Sequence, residues 1–159
     1  WQADSERERA ECGPTHRCAA QADLRQRDTE DMPLRVCALF DMPLASVPFL
    51  ERQLLRAMRL KAQGPLPAAS VCYVWDSRLP PGAMLPSPYT RRIRYVVLHG
   101  PESPLHAWHH EHRDIYADFL LLFGNESTTV PPLVAVLVGA DTDNTHSHSL
   151  AHLTALDLH

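Results

Sequence analysis

The sequence predicts a mainly β fold, an antiparallel jelly-roll-like β-sandwich with two helical insertions. First, apolar residues alternate with a period of two along several short segments. Second, the chain has 14 prolines against 6 glycines, a balance that favours strands joined by stiff loops over a helical bundle. Third, strand-like and helix-like segments do not alternate regularly, which disfavours a doubly wound parallel sheet.

Strand patterns recur along the chain from residue 33 onward. In the first of them Leu34, Val36, Ala38 and Phe40 share one face. The continuous apolar run Leu133–Ala140 is typical of a central strand, and Arg91–His99 alternates like a half-buried antiparallel strand. The predicted strands are 33–40, 70–75, 91–99, 133–140 and 150–158.

Two segments change to the helical period. Within Val47–Lys61 the apolar residues recur three and four positions apart and arginines lie opposite them. Within Glu111–Phe123 apolar residues again share a face, and Gly124 follows as a stop. These segments are the two predicted helical insertions.

Length and charge set the outer limits. A chain of 159 residues fits one domain, predicted here as a polar lead-in over 1–22 and a single β-sandwich domain over 23–159. The net charge of −4 disfavours generic nucleic-acid binding. No apolar run reaches the ~20 residues that span a bilayer, so we expect no transmembrane segment. Because the chain opens with Trp1 and shows no signal peptide, we expect either a removed leader or a fragment of a longer product.

The four cysteines divide into two pairs. Cys12 and Cys18 flank a Gly-Pro-containing loop, where a local disulfide is geometrically easy. Cys37 and Cys72 each lie in an apolar strand, and we interpret them as buried small side chains, with a cross-strand disulfide as the alternative.

Oxygen-bearing side chains follow the run Leu133–Ala140. Asp141, Asp143 and Asn144 can converge on a turn, and carboxylate and amide oxygens are the ligands that calcium prefers. The alternative is a strand-ending turn in which Asp and Asn bond the backbone. This turn therefore indicates calcium as a candidate cofactor, and the sequence establishes no cofactor with certainty.

Histidines form a second candidate metal set. His146, His148 and His152 share a parity on an extended segment, so they could ligate a transition metal. His106, His109, His110 and His112 precede them, but His109–His112 does not reproduce the His-Glu-x-x-His motif. The alternative is solvated histidines in loops.

Carboxylates and aromatic rings form the candidate ligand-binding set. Glu111, Asp114 and Asp118 lie on one predicted helical stripe beside Arg113, which suits acid–base work on a glycosidic bond or, more simply, a polar face paired with a strand arginine such as Arg94. Exposed rings can stack on a sugar, and Tyr89 and Trp108 are the candidates because the strand pair Tyr73 and Trp75 suits the core. The predicted ligand-binding residues are Tyr89, Trp108, Glu111, Arg113 and Asp114.

A series of short motifs runs along most of the chain. The motifs, in order, are Ala22-Asp23-Leu24, Asp28-Thr29-Glu30-Asp31, Tyr73-Val74-Trp75-Asp76, Trp108 with Glu111-His112-Arg113-Asp114, Asp118 with Phe123-Gly124, and Asp141-Thr142-Asp143-Asn144-Thr145. This series resembles a bacterial family catalogued as domain of unknown function number three thousand and forty-seven. The resemblance runs from about Ala22 to Leu158 and implies an exported or periplasmic protein with a jelly-roll fold similar to carbohydrate-binding modules.

Three functions fit these observations. The first is a non-enzymatic binding module of the bacterial envelope with carbohydrate as its ligand. The second is an accessory subunit that docks to a larger, membrane-associated protein assembly. The third is a metal-dependent hydrolase that uses the histidines. The chain lacks a Gly-x-Ser-x-Gly elbow and a phosphate-binding loop, which disfavours the hydrolases and nucleotide enzymes built on them.

Overall fold

The computed structural model describes residues 2–6 (as backbone), 22–62, 66–104 and 107–158. The predicted local disulfide between Cys12 and Cys18 lies outside these ranges, and so does His106 of the histidine set. In chain order the elements are β1 (Gln2–Glu6), β2 (Met32–Phe40), α1 (Phe49–Lys61), β3 (Ala69–Trp75), β4 (Met84–Pro86), β5 (Ile93–His99), β6 (His109–His110), α2 (Ile115–Phe123), β7 (Leu133–Asp141) and β8 (Leu150–Ala155).

The strands form two sheets, a five-stranded one in the order β4-β5-β3-β2-β7 and a three-stranded one in the order β6-β1-β8. The mainly β class and the two helices are confirmed. The purely antiparallel arrangement is wrong, because β3 and β5 pair in parallel while β2 is antiparallel to β3 and to β7. Two parallel neighbours need a connection that returns the chain from the end of the first strand to the level at which that strand began. The segment 76–92, which contains β4, makes this connection between β3 and β5.

The two faces of the larger sheet carry separate cores. Val71 and Tyr73 lie on the face that packs against Phe119 and Phe123 of α2, which we call the helix face. On the opposite face Cys72 and neighbouring strand residues pack against Leu24, Met32 and the loop before β5. The predicted alternation of β2 is confirmed, since Leu34, Val36, Ala38 and Phe40 are all buried on the helix face. The prediction for β5 is corrected, because Arg94–Val97 is buried on both faces, as in a parallel pair.

The position of β7 differs from the prediction. Leu133–Ala140 was expected to form a central strand, yet β7 pairs with β2 alone among the residues that the structure describes, at the edge of the sheet. Val134, Leu137 and Val138 are 43–58 % exposed. An apolar run of this kind normally has neighbours on both sides, so an edge position could not be read from composition.

Both helices begin later than predicted, for local reasons. Pro48 precedes α1 in an extended conformation, and its fixed φ suits the start of a helix. Asp114 caps α2 by accepting hydrogen bonds from the backbone amides of Tyr116 and Ala117 at 3.0 Å each. Glu111 therefore precedes the helix, so it does not share a helical stripe with Asp114 and Asp118.

Cys37 and Cys72 form a disulfide, so the interpretation as two free buried thiols is wrong. The two residues are direct partners in the β2–β3 register, and their sulfurs are 2.09 Å apart. The short distance between facing side chains of an antiparallel pair makes the bond possible.

The predicted polar lead-in contains a strand. Gln2–Glu6 forms β1 and pairs with β6 and β8.

Among the described residues, neither helix has the length and apolarity that a membrane crossing needs.

Candidate functional site

A cleft of ≈ 690 Å³ opens on the helix face, between the start of α2 and the segment that follows β8. Val36, Ala38 and Val136 form its apolar floor. Glu111, His112, Arg113, Asp114 and Tyr116 line its polar wall. The structure thus brings three of the five predicted ligand-binding residues, Glu111, Arg113 and Asp114, to one cavity.

Asp118 anchors the base of the polar wall. The Tyr73 hydroxyl donates to its Oδ2 at 2.7 Å, and Arg113 donates from Nε and Nη2 to its two oxygens at 3.0 and 2.6 Å. Burial, followed by the hydrogen bond to the Asp118 carboxylate, raises the pKa of Tyr73, so the phenol stays protonated and acts as a donor. The hydrogen bond to Asp118 also raises the pKa of Arg113. These contacts fix Arg113 in place and leave its Nη1 outside the pair.

The expected partner of Asp118 was a strand arginine, and this is corrected. Arg94 instead contacts Glu126, as does Arg92, whose two terminal nitrogens reach the Glu126 carboxylate at 2.6 and 2.9 Å. Both guanidinium groups also lie over the Phe123 ring. The ion pairs and the ring contacts hold the end of α2 against β5, so this network is part of the fold.

Asp114 and Tyr116 form the outer rim of the cleft. Asp114 uses Oδ1 to cap α2, and its Oδ2 takes no part in those bonds. Tyr116 is 55 % exposed and follows two residues later. Both residues line the cleft, where a carboxylate oxygen can receive a ligand hydroxyl by hydrogen bonding and an aromatic face can stack on a ligand.

Glu111 is held by His99, a histidine outside the two sets predicted from the sequence. Its Oε1 lies 2.6 Å from Nε2 of His99, and Nδ1 of His99 lies 3.2 Å from Oγ of Ser103. The Ser103 hydroxyl also accepts a hydrogen bond from the amide of Gly100 at 3.1 Å, which is the bonding of a turn residue. His99 therefore positions Glu111, and no spacing motif links His99 to Glu111 in the sequence.

The two predicted stacking residues lie away from this cleft. Tyr89 borders a second cavity beside α1, and its hydroxyl donates to the carbonyl of Arg27 at 2.8 Å. Trp108 is 47 % exposed, and its ring centroid is 6.4 Å from that of His152. Tyr73 and Trp75 are buried, as expected. Tyr116, the exposed tyrosine of the cleft lining, was not among the predicted stacking residues, and its place at the cleft follows from where α2 begins.

The predicted calcium residues surround a buried carboxylate from elsewhere in the chain. Oxygens of Asp31, Asp141 and Asp143 lie within 4.8 Å of one another. Burial, and then hydrogen bonding with Asp143, raises the pKa of Asp141. The Asn144 side chain is hydrogen-bonded at both ends, since its amide nitrogen donates to the carbonyl of Glu30 at 3.0 Å and its Oδ1 accepts from the Tyr89 hydroxyl at 3.4 Å.

Asp31 organises the turn that contains these residues. Its Oδ1 accepts from the backbone and side-chain nitrogens of Asn144 at 3.2 and 3.3 Å, and its Oδ2 accepts from the amide of Thr145 at 2.7 Å and from the Thr145 hydroxyl. Each oxygen thus already receives two hydrogen bonds. This arrangement favours the strand-ending turn over a calcium loop.

The predicted histidine ligands do not share an extended segment. His146 lies in the turn with a positive φ of 51°, and His146, His148 and His152 are all exposed. In the part of the chain that the structure describes, the only group of three or more side chains close enough to share a metal ion is the aspartate group.

Comparison with known proteins gives a family and no function. No curated protein and no solved structure matches the chain. The family model described as "Protein of unknown function (DUF3047)" matches residues 15–156, most of the chain and every element from β2 to β8. The chain therefore belongs to this family of proteins of unknown function.

Proposed function

We propose that the chain is a non-enzymatic binding module of the bacterial envelope whose cleft takes a carbohydrate ligand. The observation that carries the proposal is the cleft itself, where a polar wall with Asp114 and Arg113 faces an apolar floor. Sugars present hydroxyls on their edges and apolar C–H groups on their faces, so they suit a cavity that offers both.

Binding is favoured over catalysis because the ionisable groups of the wall already have structural partners. Arg113 pairs with Asp118, Asp114 caps α2, and Glu111 contacts His99. The Ser103 hydroxyl, which lies 3.2 Å from Nδ1 of His99, accepts a hydrogen bond from the amide of Gly100 in the same turn. Groups held in this way are preorganised to orient a ligand, which lowers the entropy cost of binding.

The proposed location is an exported compartment, the periplasm. The disulfide between Cys37 and Cys72 supports it, because such bonds persist in oxidising environments and are rare in the cytosol. Alkylation of thiols in intact cells, followed by counting of labelled cysteines, tests this location. Labelling of Cys37 and Cys72 without prior reduction would contradict it.

A glycan array followed by titration of the bound sugar tests the ligand. Tyr116→Ala removes the exposed ring, and Asp114→Asn removes the charge while keeping a side chain that caps helices well. We expect each variant to weaken binding by at least about tenfold, the scale of one good stacking or charge-assisted contact. The matched control is Tyr89→Ala, since Tyr89 is similarly exposed at 51 % but lies at the other cavity.

Two results would overturn the carbohydrate proposal. One is the absence of binding to every glycan on the array by the folded chain. The other is a bound sugar whose affinity falls with Tyr89→Ala and stays unchanged with Tyr116→Ala.

The second candidate function is an accessory subunit of a larger assembly, and the edge of β7 favours it. From Leu133 to Ala140 the strand has no charged residue and no proline, the devices that proteins use to protect exposed edges. An added strand from a partner would pair with this edge. Leu137→Lys places a charge there and should abolish co-purification with the partner, with Leu121→Lys on α2 as the control. A chain that is purified alone from its source as a stable monomer would contradict this function.

A further inference from the structure

Helix α1 turns its apolar side to the outside of the molecule. Leu50, Leu54 and Met58 are spaced four residues apart and so lie on one face, and they are 79, 57 and 45 % exposed. Phe49 and Leu60 lie about a quarter turn from Leu50, away from Leu54 and Met58, and are 62 and 88 % exposed. We call these five residues the α1 apolar surface. Leu55 is the one buried residue of the helix.

The polar side of α1 faces the body of the protein instead. Glu51 pairs with the buried Arg92 at 2.5 Å, and Arg59 donates to the carbonyl of Leu66 at 2.9 and 2.6 Å. A surface helix of a globular protein normally has the opposite arrangement, with the apolar stripe against the core. An exposed apolar patch of this kind marks an interaction site.

The charges around the α1 apolar surface are positive. The helix carries Arg52, Arg56, Arg59 and Lys61, whereas its one acidic residue, Glu51, is paired with Arg92. The whole chain has a net charge of −4, so this end of the molecule contrasts with the rest. An anionic partner is the complementary one.

The loop before β5 extends the same surface. Tyr89 is 51 % exposed, and the Arg91 side chain is 72 % exposed. A cavity of ≈ 360 Å³ separates this loop from α1, with Leu54, Met58 and Ile93 among its apolar lining and Arg27, Arg91 and Arg92 among its basic lining. This cavity shares no lining residue with the cleft on the helix face, so the two are distinct.

We propose that α1 and the loop 87–92 form a docking surface for an anionic phospholipid bilayer. The helix lies in the plane of the headgroups, with its apolar surface in the boundary to the acyl chains and the exposed Arg56 and Lys61 beside lipid phosphates. An exposed apolar surface with Phe and Leu, flanked by exposed cationic side chains, is the pattern of interfacial helices. In the proposed arrangement the helix lies on the bilayer surface and makes a peripheral contact.

A second copy of the chain fits this surface less well. Pairing α1 with its own copy would bring the cationic rims of both helices together, which costs free energy. A bilayer with anionic headgroups supplies the opposite charge and an apolar layer at the same time.

Co-sedimentation of the full chain with vesicles tests the proposal. We expect binding to phosphatidylcholine vesicles that contain phosphatidylglycerol, at least about tenfold weaker binding to pure phosphatidylcholine, and a loss of binding as salt screens the charges. The double variant Leu50→Gln/Leu54→Gln should weaken binding to the anionic vesicles by at least about tenfold. Both side chains are largely exposed, so the variant is expected to fold.

Two matched controls distinguish binding through the α1 apolar surface from nonspecific adsorption to the vesicles. Leu121→Gln changes a leucine that is 70 % exposed on α2, and it should leave vesicle binding unchanged. Arg56→Gln/Lys61→Gln should weaken binding, while Arg56→Lys/Lys61→Arg should keep it. The proposal fails if the folded chain does not bind anionic vesicles, or if Leu50→Gln/Leu54→Gln binds them like the unchanged chain. It also fails if size-exclusion chromatography shows a dimer that this variant dissociates while the vesicles stay unbound.

Discussion

The hydroxyl of Tyr73 and the carboxylate of Asp118 are 2.7 Å apart, and this hydrogen bond joins β3 to α2 beneath the cleft. Both residues are buried, at 3 % exposure each. Because Arg113 pairs with the same carboxylate, one side chain of the cleft wall depends on a contact made inside the core.

Arg113→Met should therefore destabilise the protein as well as alter the cleft. Without the guanidinium, the buried Asp118 carboxylate keeps only the Tyr73 donor, and we expect a loss of roughly 2–3 kcal/mol in the free energy of unfolding. Tyr73→Phe should cost about 1–2 kcal/mol, since it removes one hydrogen bond to a charged acceptor. Urea unfolding measures both losses. An unchanged unfolding midpoint for Arg113→Met would show that the ion pair contributes nothing.

Loss of the Cys37–Cys72 disulfide should lower stability substantially. The bond closes a loop with a sequence separation of 35 residues, and the chain-entropy relation gives about 4 kcal/mol for a loop of that size. We expect Cys37→Ala/Cys72→Ala to unfold at a correspondingly lower urea concentration. Dithiothreitol should destabilise the unchanged chain to a similar extent and leave the double variant nearly unaffected. Equal sensitivity of both proteins to the reductant would assign the effect to other cysteines.

The sequence predicted the elements of the fold better than their arrangement. The period of two in β2 and the run of β-branched and aromatic residues in β3 reflect burial, so these strands were predicted. Both helices were predicted from the three- and four-residue spacing of their apolar residues. The parallel pairing of β3 with β5 depends on how the chain between them crosses the sheet. The edge position of β7 depends on which strands are its neighbours. Neither is written into the local pattern.

The candidate site was predictable where its residues are neighbours in the sequence. Glu111, Arg113 and Asp114 lie within four consecutive positions, so a sequence pattern that indicates one of them as a site residue also includes the other two. His99 and Tyr73 reach the site from distant strands, and Asp31 reaches the turn after β7 in the same way. Histidines chosen by parity alone failed to converge because the turn, with His146 at positive φ, breaks the extended geometry that parity assumes.

Stability should fall at acid pH through Asp23. Hydrogen bonds from the side chain of Arg25 outweigh burial and lower the pKa of Asp23 to about 2, from 3.8. The folded-state pKa lies below the unfolded-state value, so the stabilisation is complete above about pH 4 and is lost as pH falls through about 2. Because Arg25 is largely exposed, we expect a contribution of about 1–2 kcal/mol. Urea unfolding of Asp23→Asn across this range should show a correspondingly smaller decline with falling pH, and parallel curves would contradict the assignment.

Calcium should have little effect on the protein, although three aspartates meet after β7. A calcium ion needs six to eight oxygen ligands. The oxygens of Asp31 are already hydrogen-bonded, because Oδ1 accepts two hydrogen bonds from Asn144 and Oδ2 accepts two from Thr145. We expect millimolar calcium to raise the Tm by less than about 2 °C, and Asp31→Asn to cost about 2 kcal/mol because it disrupts the turn. Asp143→Asn, at an exposed position of the same group, should be nearly neutral. A large rise in Tm with calcium that Asp143→Asn abolishes would establish the aspartates as ligands, and the turn would then be part of a metal site.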